Sequence, residues 1–341
     1  MLRHMVRIRR GVLLTLVAAL LAACSALPDV FPKRATTAPA PECWRSPLTD
    51  MCGTERNPVI VAKIDDVAEA RPQFNLNAAD IVIVEQVEGG LTRLFAVYQS
   101  KSPQYIGPIR SARITDTDLV PAFGTPGFAY SGSASRLVPY LQAAQMQLIG
   151  APQGGDGYFR IDDRAAPHNY LAELAVLRTR ISDTATSAVG NIQPWNITAK
   201  PAPVQGETVT EVAVRWPAAK KSYTWDGQRW QMTASGEPLR SQLDLLGRTE
   251  SVTAQNIVIM QTGLKESDFK DKFGAPTPYS NTIGAGDGYV LTQGRIVPAT
   301  WQRAATSDLP RWFTSSGAEI TLTRGRTWWL IVSDLEGVTY R

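Results

Sequence analysis

Seven charged or titratable side chains between residues 65 and 168 are of types that bind anions or move protons. They are Asp65, Asp80, Glu88, Arg93, Arg110, Arg113 and His168. Arg110 and Arg113 stand three apart, with Arg93 on an earlier segment. A guanidinium is a planar bidentate fork that suits a multi-oxygen anion such as phosphate or carboxylate. Glu88 and Asp80 would complete such a ligand site. His168 is the candidate general acid/base, because imidazole is the side chain suited to proton transfer at neutral pH, with Asp65 as the second catalytic candidate. Asp162 or Asp163 would orient the ring, and Pro167 would fix the backbone before it. Each residue also has a structural reading. Arg93 pairs with Glu85 or Glu88, and Arg110 or Arg113 with Asp65 or Asp116. His168 then merely enters a helix beginning near Tyr170 and capped by Asn169. Singly, the structural reading is preferred; for the cluster together, a site is.

Several chemistries have no motif here. G-x-S-x-G, a phosphate-binding P-loop and H-E-x-x-H are absent from the sequence. Gly284, Gly286 and Gly288 precede a strand, so they read as a hairpin turn. No metal site is expected. Mg²⁺ or Ca²⁺ on Asp65, Asp66 and Asp80 is an open alternative without a diagnostic spacing.

The elements that must position these residues alternate. Pro58–Asp65, Asp80–Val87 and Leu91–Ser100 read as strands, the last two joined at Glu88-Gly89-Gly90. Gly127–Gly132 is a further strand. Ser133–Gln145 reads as a helix with Leu137, Tyr140, Leu141 and Ala144 on one face, and Tyr170–Ser182 as another. The fold class expected is α/β, a mixed sheet with flanking helices over 43–190. A joint follows at 191–204, then a smaller, mainly antiparallel β domain over 205–341. Eight of nine tryptophans lie at Trp195 or later. They read as core, with glycan stacking as the alternative; Trp328 and Trp329 must face opposite ways on a strand, leaving one free for exposure.

Residues 1–23 carry Arg3, Arg7, Arg9 and Arg10, then an apolar run ending in Leu21-Ala22-Ala23-Cys24. This reads as a signal peptide, its apolar run too short to span a bilayer. The small residues before the cysteine resemble a bacterial lipobox, which implies diacylation of Cys24 and cleavage before it. The partner expected is therefore a membrane, reached by an N-terminal lipid, with the chain on its extracytoplasmic face. Residues 24–42, with Pro28, Pro32, Pro39 and Pro41, form a semi-extended tether. Cys43 and Cys52 are expected to form a disulfide outside the membrane, rather than a metal site. Four of the 35 basic residues fall in 1–23, and none of the 31 acids does. The rest is balanced at 31 to 31, so net charge gives no reason to expect nucleic acid.

The pieces Ile64-Asp65, Arg71-Pro72-Gln73, Ala79-Asp80, Val87 to Gly90, Thr92-Arg93, Ile106 to Arg113 and Pro167-His168-Asn169 resemble the YerB-like lipoproteins, a domain-of-unknown-function family. The segments IVIM, GDGYVLTQG and TWWLIV resemble that family's smaller second domain, so the likeness covers about 47–332. It implies fold and location, and no activity. Asp66 stands where the family commonly has asparagine, which would add a negative charge near the site. The order of acids and arginines is also loosely similar, over about 60 residues, to LytR-CpsA-Psr glycopolymer transferases. That likeness would place pyrophosphate on Arg93, Arg110 and Arg113 and metal on Asp65 and Asp80.

Two functions follow as expectations. One is a lipid-anchored protein that binds an anionic ligand or a cell-envelope partner such as a wall polymer. The other is an enzyme acting on a phosphate-containing wall polymer or its lipid-linked precursor.

Overall fold

The computed structural model describes residues 43–53, 56–182, 192–271 and 273–341. The signal peptide, the tether and Cys24 lie outside the described residues. Cys43–Arg341 forms one compact unit.

An 11-stranded sheet draws on both halves of the chain. At its middle three strands run parallel: Asn256–Gln261, Thr327–Val332 and Ile81–Gln86. Ile81–Gln86 turns through Glu88–Gly90 into the antiparallel Thr92–Tyr98, which pairs with Ile60–Asp65. Gly127–Ala129 and Gln147–Leu148 extend that side in parallel. The Gly284–Thr292 and Arg295–Arg303 hairpin extends the other. The near-continuous apolar runs IVAKID, IVIVEQ and TWWLIV belong to strands buried on both faces.

One apolar core lies on each face of the sheet. The first includes Ile64, Val84, Leu94 and Trp328, together with the antiparallel strands Glu211–Trp216, Ala219–Trp225 and Trp230–Ala234. The second includes Val61, Phe95, Phe123, Leu141 and Trp329. Trp328 and Trp329 do face opposite ways, but each is fully buried, because both faces of their strand are covered. Burying a side chain of that size contributes about 4–6 kcal/mol before conformational entropy is charged against it. Seven of the nine tryptophans are buried, as the core reading expects, and Trp44 and Trp225 are half-buried.

The mixed sheet is as expected; the flanking helices are sparse. Among the described residues the α-helices are Asp116–Leu119, Val138–Ala143 and Leu174–Thr179. Tyr170–Glu173, expected as a helix start, is a strand paired with Tyr105–Ile106 and Tyr158–Arg160. Ladder hydrogen bonds to two neighbours outweigh the local helix preference there. Gly284–Gly288 is strand rather than turn. A Cβ on Gly288 would meet the Ile259 carbonyl oxygen at 2.0 Å, so glycine is there for a close backbone approach. The turn itself falls at Gln293-Gly294, where both residues have positive φ.

Cys43 and Cys52 form a disulfide with Cα atoms 5.5 Å apart. Its loop is docked: Leu48 and Thr49 are buried, and Asp50 pairs with Arg324 at 2.6 Å.

Candidate functional site

Ile60–Asp65 and Thr92–Tyr98 set Asp65 opposite Arg93, and Ile81–Gln86 sets Glu85 opposite Arg93 on its other side. Side chains alternate across a sheet, so Lys63, Asp65, Glu85 and Arg93 share one face. Asp65 is fully buried and, besides accepting from the Asp66 amide, serves three side chains. Arg93 Nη1 donates to Oδ1 at 2.9 Å, and Arg110 Nε lies 3.1 Å from Oδ2. His168 Nδ1 is 2.8 Å from Oδ2. His168 is thus oriented by Asp65, not by Asp162 or Asp163, which are exposed. Asn169 caps no helix; its side chain joins Arg160 to the Ile161 carbonyl.

Arg113 has a different occupation. Its Nε and Nη2 clamp Glu88 Oε2 at 2.9 and 2.8 Å, and Nη1 donates to the Ala112 carbonyl at 3.0 Å. Thr277 Oγ1 donates to the other Glu88 oxygen at 2.5 Å. Burial raises the Glu88 pKa, but Arg113 and the Thr277 hydroxyl outweigh it and hold the carboxyl below its ordinary value. Arg113 is therefore held in an ion pair, with Glu88 rather than with the expected Asp65 or Asp116.

Arg110 and Arg93 are less committed. No hydrogen bond within the described residues uses the Nη1 or Nη2 of Arg110, whose side chain is 21% exposed. The Nε of Arg93 is buried without a partner. Burial, with Arg110 and Arg113 nearby and only partly offset by Asp65, lowers the Arg93 pKa to about 10, so it stays cationic.

Glu88, Arg93, Arg110 and Arg113 line a cleft of about 1010 Å³, whereas Asp65 and His168 stand behind Arg93 and Arg110 and are not among its lining residues. Its floor comes from Glu88, Arg93 and Arg110–Arg113. One wall is Ser133–Leu137. The other is the hairpin of Gly263–Lys270 and Pro276–Asn281, contributed by the C-terminal half. Phe269 of that hairpin meets Tyr140 edge-on at 5.4 Å. Arg136 and Lys270, absent from the expected set, add two exposed cations with no ion-pair partner among the described residues. Five basic residues line the cleft against the acids Glu88, Asp268 and Asp271, which gives it a local positive excess on an otherwise balanced chain.

Two expected members lie elsewhere. Asp80 sits before Ile81–Gln86, at the end of that strand away from Glu85 and so ~17 Å from it at about 3.3 Å per residue. It accepts from the Gln99 and Ser100 amides, both at 2.8 Å, and from the Ser100 hydroxyl. Asp66 turns to the opposite face, where it pairs with Lys221 at 2.7 Å and accepts from Thr92 Oγ1 at 2.5 Å. Its added charge is met there by Lys221 and Arg71. Asp65, Asp66 and Asp80 are therefore not brought together as ligands for one cation. Among the described residues no group of three His, Cys, Asp or Glu is placed to hold a metal ion.

Lys63 was also missed. It is fully buried beneath the floor, paired with Glu85 and, at 2.7 Å, with Asp116. A lysine inside the apolar run VIVAKID is itself the signal, because a buried ammonium demands buried carboxylates.

These strands, cleft and cluster define a two-part, strand-dominated protein, and the comparisons identify its family. Residues 48–187 match the model described as "Protein of unknown function (DUF3048) N-terminal domain", and residues 212–329 match its C-terminal domain. The chain belongs to the DUF3048 family. It is 24% identical over 300 residues to "Putative lipoprotein YerB" of Bacillus subtilis (strain 168), covering 85% of this chain and 86% of that one. The crystal structure of the YerB protein from Bacillus subtilis matches with a TM-score of 0.70 at 22% identity, over 87% of this chain and 99% of the other. That likeness is one of fold. No helix among the described residues is long and apolar enough to cross a membrane.

Proposed function

We propose that the protein is a lipoprotein held at the extracytoplasmic face of the membrane by acylated Cys24, whose cleft binds an anionic, phosphate- or carboxylate-bearing ligand. The arginine-rich start, apolar run and Leu21-Ala22-Ala23-Cys24 support the anchor, as does the name of the Bacillus subtilis relative. The observation that carries the ligand reading is the sharing of one carboxylate, Asp65, by Arg93 and Arg110, with the terminal nitrogens of Arg110 left unused at the cleft. Two guanidinium groups on one carboxylate leave a positive charge for a bound anion to neutralise.

A second reading rests on His168. With Nδ1 on Asp65, its Nε2 is the atom left to exchange a proton, which suits an enzyme acting on a phosphate-containing wall polymer or its lipid-linked precursor. Calorimetric titration of the full chain with inorganic phosphate and pyrophosphate tests the first reading. Saturable binding lost in Arg110→Ala supports it, and absence of binding refutes it. Turnover of a phosphodiester substrate that is lost in His168→Asn would replace it with the second. For the anchor, Cys24→Ser should move the protein from the membrane to the soluble fraction.

A further inference from the structure

The cleft is not polar throughout. Leu91, 38% exposed, stands beside the Glu88–Gly90 turn on one side. Phe269 and Phe273 stand on the hairpin opposite, and Phe273 is 83% exposed. Single exposed apolar side chains are ordinary on a protein surface; two of them, with the half-buried Phe269, on one charged cleft are not. Phe273 is also held out by a built turn. Asp271 Oδ1 accepts from the amides of Phe273 and Ala275, both at 2.9 Å, and the Ala275 carbonyl accepts from the Asp271 amide at 2.9 Å. The hairpin is fastened to the charged floor through Thr277 and Glu88, so its apolar wall and the arginines keep a fixed separation.

A ligand matching this lining has an anionic head and an apolar chain. We infer that the cleft takes a phosphate-headed amphiphile, its head on Arg110 and Arg93 and its chain along Leu91, Phe269 and Phe273. This rests on the anion-binding reading above and adds the class of ligand. Phosphate fits the head because its several oxygens can receive two forks at once. The charge excess supplies attraction for any anion; the apolar wall selects those that carry a chain.

The test uses the full chain carrying Cys24→Ser, so that no acyl group of its own competes. Inorganic phosphate, butyl phosphate and octyl phosphate are titrated by calorimetry. Affinity should rise along that series, by up to about fourfold for each methylene that reaches the wall. Leu91→Ser and Phe273→Ser should weaken octyl phosphate by about tenfold together and leave inorganic phosphate unchanged. Both substituted sites are exposed, so folding is not at stake. Equal affinity for octyl and inorganic phosphate would overturn the amphiphile while leaving the anion site standing. Octyl phosphate binding that ignores both substitutions would place the chain elsewhere and overturn it too. No phosphate binding at all would remove both readings.

Discussion

Asp65 and His168, 103 residues apart, meet through a 2.8 Å contact between Oδ2 and Nδ1. The same carboxylate neutralises Arg93 and sits beside Arg110. One buried acid thus fixes the ring of the only histidine in the described residues and the angle of two guanidinium groups.

Asp65→Asn should be costly. It keeps the side-chain shape but leaves Arg93 without its counter-charge in a nearly closed site. Breaking a buried pair by removing one partner costs about 3–5 kcal/mol. Denaturant unfolding should show a loss of at least ~3 kcal/mol; a loss below ~1 kcal/mol would mean that the charge is not held as described.

Lys63 should titrate early. Burial, offset in part by Asp116, lowers its pKa from 10.5 to about 8. The folded value lies below the unfolded one, so the unfolded chain binds more protons between pH 8 and 10.5. The Lys63 contribution to stability therefore rises through that window, by at most about 1.4 kcal/mol per pH unit, and is flat below it. The ¹³Cε resonance of Lys63 should show a midpoint near 8. A midpoint near 10.5 would contradict its burial.

Arg110 and Arg113 should separate in opposite senses. Arg113→Ala strands Glu88 and should lower stability by about 1.5–3 kcal/mol, the range for hydrogen bonds to charged groups. Arg110→Ala should change stability by less than ~1 kcal/mol yet abolish phosphate binding. Thermal unfolding paired with calorimetric titration of each variant reads both effects, and equal behaviour of the two would defeat the assignment.

Gly288→Ala should fail to fold or unfold far below the parent temperature. The added methyl carbon would sit 2.0 Å from a backbone oxygen, which no rotamer change relieves. Circular dichroism on heating checks this; a variant that melts with the parent would refute the close approach.

Much of this was written in local pattern. Glu88-Gly89-Gly90 announces its hairpin because Gly89 and Gly90 take positive φ at no steric cost. The apolar runs on either side announce buried strands. What the chain could not disclose was facing and partnership. Asp65 and Asp66 are adjacent, so they point to opposite faces, and nothing local says that Lys221 waits for the second. Asp80 resembles a site acid in type but closes the start of its own strand. Tyr170–Glu173 carries helix-forming residues and still joins a ladder, because two distant strands offer it hydrogen bonds. Phe269, Phe273 and Lys270 reach the cleft from a hairpin some 180 residues downstream of Arg93, which only the folded sheet brings near.

The strand Thr327–Val332 lies between Ile81–Gln86 and Asn256–Gln261 and is hydrogen-bonded to both. It is also made after both of them. Until it arrives, Ile81–Gln86 has a bare edge toward the C-terminal half, and nothing ties that half to the arginine floor through the sheet. A ribosome or a translocation channel delivers the chain from the front, so its central seam stays open until Thr327–Val332 emerges, after both of the strands it joins. Deletion of the six residues Thr327–Val332 would remove the whole of the strand that joins its two halves.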